Sequence, residues 1–212
     1  MPTLSTKLRG IEESQTLLLA AKARRMQTEG LDVVDLTAGE PDFPTPRHIK
    51  EAAIKAIEAD FTKYTSNAGT PELIDAIIRK FSHENDLHFE REQIVVSSGA
   101  KQSIFNVLQA ICNKGDEVVI LSPYWVSYPE MIKMADAKPV IVPTRIEDGF
   151  RPNLRKLRAA INAKTKALIL NFPCNPTGVA LTRSEVEDIA ELVRQTGIFV
   201  ISDEIIPETH RR

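Results

Sequence analysis

Short runs of apolar, mostly β-branched residues alternate along this chain with longer segments in which apolar side chains recur every three or four positions. The short runs lie at 94–96, 118–121, 139–143, 167–172 and 198–201. They are too short for helices and too continuously apolar for strands with one wet face, which predicts strands buried on both sides of a mainly parallel sheet. A further short strand is predicted at 31–36. Between them, helices are predicted at 11–29, where Ile11, Leu17, Leu18, Ala21 and Met26 share a side and Gly30 is the stop. A second follows Thr45 and Pro46, as cap and first helical residue, with Ile49, Ala52, Ala53, Ala56 and Ile57 on one face. Thr70 and Pro71 repeat that device before a helix burying Leu73, Ile74, Ile77, Ile78 and Phe81. Another starts at about Lys101, a short one carries Leu154, Leu157 and Ile161, and Thr182 with Glu185 forms a capping box ahead of Val186, Ile189, Ala190 and Val193. The segment 122–128 reads as an aromatic loop. The five buried runs punctuated by helices predict an α/β fold, a predominantly parallel sheet with flanking helices.

Composition narrows the function classes. The 212 residues are 42% hydrophobic and 26% charged, with a formal net charge of -2. That balance offers no basic field for nucleic acid or an anionic membrane surface. No apolar run approaches the roughly 18 residues of a membrane span, and the amino terminus has no signal-peptide core. The two cysteines, Cys112 and Cys174, fit a reduced, cytoplasmic chain. His48, His83, His88 and His210 share no metal-type spacing and read as surface or structural residues.

The candidate chemistry lies just after the buried runs. The strand at 94–96 delivers Ser98, Gly99, Ala100 and Lys101; that at 118–121 delivers Pro123, Tyr124 and Trp125. The run at 167–172 delivers Asn175, Pro176, Thr177 and Gly178, and that at 198–201 delivers Asp203 and Glu204. In a parallel sheet these ends share one rim, where ligands bind. A helix starting near Lys101 leaves backbone N–H groups aimed at an anion, worth up to about 2 kcal/mol in good geometry. Taken singly, each residue has an ordinary explanation: Trp125 as a core aromatic, Asn175 as a turn residue before proline, Asp203 as a helix cap or surface charge. Together they suit a flat, phosphorylated heteroaromatic. The three-glycine dinucleotide fingerprint and the P-loop ending are both missing, which argues against a nucleotide site.

The stretches SSGAKQSIFN, SPYWVSYPEM, NFPCNPTGV and ISDEI, preceded by LTAGEPDFPTP and KYTSNAGTPELIDAI, resemble the pyridoxal-phosphate-dependent class I aminotransferases of fold type I. Among these they are most similar to bacterial aspartate aminotransferases, some of which also use prephenate. The resemblance covers about residues 1–205. It implies that Gly99, Ala100 and Lys101 sit at the phosphate of pyridoxal 5′-phosphate, and that Trp125 stacks on the pyridine ring. Asn175 would bond the phenolic oxygen near the substrate carboxylate, and Asp203 would pair with the pyridinium nitrogen. Gly39 would contact the substrate carboxylate, and Tyr64 would reach the phosphate of the other subunit of a homodimer. The implied organisation is an arm and part of a small closing domain at 1–45, part of the large cofactor domain at 46–205, and an atypical tail at 206–212. The implied sheet sets the strands 139–143, 118–121, 167–172 and 198–201 side by side in that order, with two more strands separating the last from 94–96.

The departures from the family pattern concern catalysis. The family's Schiff-base lysine lies in a Ser-Lys motif downstream of Asp203, and no Ser-Lys pair occurs in this sequence. The arginine that binds the substrate α-carboxylate is likewise missing, and Ile206 stands where the family has a tyrosine. The reading is therefore the amino-terminal part of an aminotransferase moving an amino group between an amino acid, aspartate foremost, and a 2-oxo acid. On its own, this chain is expected to be marginally stable, prone to aggregate at open strand edges, and inactive. The alternatives are a non-catalytic homologue that binds cofactor or pairs with an intact paralogue, and a lyase of the same fold.

Overall fold

The computed structural model describes residues 3–37, 39 and 43–205. In chain order the elements are α1 (Gln15–Thr28), α2 (Arg47–Glu58), α3 (Pro71–Asn85), α4 (Ala100–Ile111), β1 (Glu117–Ser122), α5 (Ser127–Met134), β2 (Lys138–Pro143), α6 (Leu154–Ala160), β3 (Thr165–Asn171), α7 (Arg183–Arg194) and β4 (Phe199–Asp203). Short 3-10 turns occupy Thr6–Gly10, Arg91–Gln93 and Ile146–Asp148. Residues 3–14 and 98–205 form one compact unit, and Gln15–Ser97 forms another. No helix among the described residues is long and apolar enough to cross a membrane.

The first unit is built on a four-stranded parallel sheet in the order β2-β1-β3-β4. That is the order the family resemblance implies for these four runs. Because side chains alternate across a strand, the continuous apolar runs feed two cores at once. Val118, Ile120, Ala167 and Ile169 face α4 and α5, where they pack with Ile104, Leu108, Tyr128, Met131 and Ile132. Val119, Leu121, Val142 and Leu168 face α6 and α7, where they meet Leu157, Ile189, Leu192 and Val193. Helices on both faces make this an α/β fold. The capping box before α7 forms as expected, with Glu185 N–H donating to Thr182 Oγ1 and Thr182 N–H to Glu185 Oε2. Residues of the amino-terminal segment lie along α5: Lys7 pairs with Asp136 at 2.7 Å, and Lys133 Nζ donates to the Gly10 carbonyl at 3.2 Å.

The second unit holds α1, α2 and α3 and has a thin core, with Ala23, Ile74 and Ile94 buried. Thr70 caps α3 as expected, accepting from Leu73 N–H with Pro71 in the first turn. The turn before α3 is tied to the segment after Arg91–Gln93 by a bond from Val96 N–H to the Ala68 carbonyl at 2.8 Å.

Several expectations are corrected. The run 94–96 is no strand of the sheet, which among the described residues has four strands rather than five. Ile94 is buried but Val95 is 65% exposed, because no strand among the described residues lies beside this run to complete a ladder. The run 31–36 is irregular for the same reason, with Leu31, Val34 and Leu36 exposed. Pro46, not Thr45, flanks α2, which starts one residue later than expected and buries none of its side chains. In α3 only Ile74 is buried. The segment beyond Trp125 is helical where a loop was expected. Pro129 sits in the first turn of α5, where its missing N–H costs no intrahelical bond. Parts of the loop expected over 37–46, and the tail 206–212 with Ile206, fall outside the described residues.

Candidate active site

Parallel strands bring the carboxyl ends of β1, β3 and β4 to one rim, and the best-defined polar group there is Asp203. It is the last residue of β4, 6% exposed, and opposite Asn171 in register. A carboxyl group so placed costs several kcal/mol of desolvation unless donors surround it. Tyr128 Oη donates to its Oδ2 at 2.5 Å, and Ile205 N–H donates to its Oδ1 at 3.3 Å. Asp203 is thus neither of the two ordinary things its type suggests, a surface charge or a helix cap.

Tyr128 can make this contact because α5 follows β1 directly and lays its first turn against the sheet, leaving the ring 2% exposed. Burial first, and then the bond to Asp203, push the phenol far above its ordinary range. The group therefore remains a donor throughout the neutral range. Three residues earlier, Trp125 packs edge-on against the Tyr128 ring, with centroids 5.4 Å apart and planes at 85°. It is half-buried and borders the core without lying within it. The Lys101 ammonium stands 4.8 Å from the Trp125 ring centroid, a cation–π arrangement.

Lys101 comes from the start of α4. Gly99 flanks that helix with φ 83° and ψ 160°, a region open essentially only to glycine. A Cβ there would meet nothing within 4 Å, so dihedral freedom alone is what the position needs. Ser98 N–H is bonded to Gln102 Oε1, while the N–H groups of Gly99, Ala100 and Lys101 have no acceptor among the described residues. Unpaired first-turn donors and the positive end of the helix suit a phosphate.

Asn175 follows β3 in a tight turn closed by Gly178 N–H to the Cys174 carbonyl at 2.7 Å and Cys174 N–H to the Val179 carbonyl at 2.9 Å. Its side chain is exposed. Its backbone N–H donates to Asn171 Oδ1 at 2.9 Å, and Asn171 Nδ2 donates to the Asp203 carbonyl at 3.0 Å. A continuous set of contacts therefore runs from Lys101 through Trp125, Tyr128, Asp203 and Asn171 to Asn175. Gly39 and Tyr64 belong to the second unit; both are exposed, Tyr64 fully so.

Tyr128 and Asn171 are the residues that reading the sequence did not single out. Each carries a faint signal. Tyr128 follows Trp125 by three positions, the spacing that puts two rings on one helical face, and Asn171 is a polar residue at the end of an apolar run.

With this geometry in place, comparison with known proteins settles the family: the pattern of class I and II aminotransferases matches residues 31–207. The chain belongs to that family. This aminotransferase sequence is 46% identical over 205 residues to the probable aspartate/prephenate aminotransferase of Thermus aquaticus, a match covering 97% of this chain and 54% of the relative. It is 45% identical over 202 residues to the aspartate aminotransferase of Bacillus sp. strain YM-2, covering 95% and 52%. Among solved structures, aspartate aminotransferase from Thermus thermophilus with maleate superposes with a TM-score of 0.93 at 45% identity, covering 96% of this chain and 53% of that one. The chain thus spans about half the length of the relatives it matches. Aminotransferases of this family generally depend on pyridoxal phosphate, and the donor set suits that group. Unpaired N–H groups at a helix start match a phosphate, an indole matches a pyridine face, and a buried, hydrogen-bonded carboxyl group matches a protonated ring nitrogen.

Proposed function

We propose that this aminotransferase chain carries the pyridoxal 5′-phosphate site of an enzyme that moves an amino group between an amino acid, aspartate foremost, and a 2-oxo acid. The observation that carries this reading is Asp203, a carboxyl group kept at the sheet rim by a phenol that does not give up its proton. When bound, the cofactor supplies an electron-accepting ring. The residues of this chain do the rest. Asp203 holds a proton on the ring nitrogen, Ala100 and Lys101 present N–H groups to the phosphate with Gly99, and Trp125 covers one ring face. Asn175 bonds the phenolic oxygen and orients the substrate carboxylate. Tyr64 serves the phosphate of a second subunit, and its full exposure leaves it available for that. In the whole protein, which we place in the cytoplasm as a homodimer, residues 1–45 contribute the arm and part of the domain that closes on substrate.

Trp125 is the only tryptophan, so its fluorescence reports ring binding directly. Titration with pyridoxal 5′-phosphate is expected to quench it saturably. Asp203→Ala is expected to weaken binding by about 1–3 kcal/mol, roughly 5- to 150-fold, the worth of a charge-assisted bond. Absence of quenching in the folded wild-type chain, or an Asp203→Ala affinity equal to wild type, overturns the reading.

A further inference from the structure

A carboxamide at the end of a buried strand is costly unless both of its ends are bonded, and in Asn171 both are. The residue is 9% exposed. Its Nδ2 donates to the backbone carbonyl of Asp203 at 3.0 Å, and its Oδ1 accepts the backbone N–H of Asn175 at 2.9 Å. Asn171 and Asp203 are register partners at the ends of β3 and β4. The first bond therefore adds a side-chain rung just past the backbone ladder. The second reaches into the turn that carries Asn175, whose other closures, Cys174 to Val179 and Gly178 to Cys174, are local. One planar amide thus joins that turn to the end of β4.

We propose that Asn171 is a positioning residue: its carboxamide fixes the spacing between Asn175 and Asp203 so that the two move as one body. This rests on the cofactor assignment above for its functional meaning, since Asn175 and Asp203 there address two different atoms of one ring, the phenolic oxygen and the ring nitrogen. The chemistry at 171 must offer a donor and an acceptor on one rigid plane. Aspartate keeps the acceptor for Asn175 but sets a second oxygen against the Asp203 carbonyl, serine is too short to span both partners, and glutamine is one methylene too long for the register.

The test uses the full 212-residue chain, two variants and two readouts, one of which needs no cofactor. Hydrogen exchange is followed at the Asn175 amide, with the Val119 and Ile120 amides of the buried strand β1 as internal standards. In Asn171→Ala, Asn175 is expected to exchange about tenfold faster while the standards hold, the scale of one lost hydrogen bond. In Asn171→Asp, Asn175 is expected to stay protected. The second readout is quenching of Trp125 by pyridoxal 5′-phosphate. Both variants are expected to bind about tenfold more weakly, the aspartate variant included, although its turn remains tied and its added negative charge favours a cationic ring. Unchanged Asn175 exchange in Asn171→Ala overturns the tie. Wild-type affinity in Asn171→Asp overturns the positioning role, as does loss of protection at Val119 and Ile120 in both variants, which marks general scaffolding. If the wild-type chain itself shows no quenching, the cofactor assignment falls with the positioning role, and the exchange data still decide whether Asn171 makes the tie.

Discussion

Tyr128 and Asp203 are separated by 75 positions in sequence, and each makes the other tolerable in the interior. Removing the phenolic hydroxyl leaves Oδ2 of a buried carboxyl group without its donor, so Tyr128→Phe is expected to destabilise the chain by about 1–3 kcal/mol near neutral pH. The same pair sets a pH dependence with a definite sign. The folded phenol is held above its ordinary value, so when the unfolded chain loses this proton, near pH 10 for an unperturbed tyrosine, the folded chain keeps it. The unfolded state then binds fewer protons, and stability falls with rising pH. The contribution of Tyr128 is fully present below about pH 10 and is lost as pH climbs from there towards the folded value. Urea midpoints of wild type and Tyr128→Phe are expected to differ at pH 8 and to converge above pH 10. A constant gap across that range contradicts the assignment.

At the level of elements, local chemistry and tertiary contact divide the work unequally. The caps of α3 and α7 form from residues three positions apart, which is why Thr70, Thr182 and Glu185 are readable in the sequence. The turn before α3 is different. Gly69 has φ +118°, and a Cβ there would stand 2.6 Å from Val96 Cγ2 and 2.9 Å from Val96 Cβ. Valine is stiff at χ1 and cannot swing clear, so Gly69→Ala must push the two backbones apart. A cost of about 2–5 kcal/mol, strain and overpacking together, is expected within the second unit. The check is exchange at the Val96 amide, which is bonded to the Ala68 carbonyl at 2.8 Å. It should lose protection while β1 amides do not.

For the whole molecule, the two units differ in how much they bury. The central strands β1 and β3 of the first unit are covered on both faces, whereas the second unit leaves Leu17, Val34, Leu36, Phe43, Ile57 and Phe61 exposed. Among the described residues β4 ends the sheet and presents Phe199 at 54% and Val200 at 46% exposure, a template for pairing with another chain. Val200→Lys places a charge on that edge, and light scattering at rising protein concentration is expected to fall relative to wild type. Unchanged scattering locates the association elsewhere. Much of the fold was legible from the residues alone. Continuous apolar runs announced the four strands, of which the central β1 and β3 are buried on both faces while β2 and β4 are not, three-to-four spacing announced α3, α6 and α7, and six motifs announced the family. The strand expected at 94–96 was misread because an apolar run shows what a segment can bury and not whether a neighbour exists to pair with it. α5 was missed because the stretch that leads into it, 122–128, reads as an aromatic loop. Within the site, Trp125, Asn175 and Asp203 stood out because they follow buried runs. Tyr128 and Asn171 did not, because their worth lies in partners 75 and 32 positions away. The sequence by itself determined the alternation of elements, the parallel sheet and the residue types at its rim, since propensity, capping and burial pattern act over a few positions. Only the tertiary structure decided which polar groups become each other's partners, because a hydrogen bond in a desolvated interior depends on ångström-scale placement that strand order and register create.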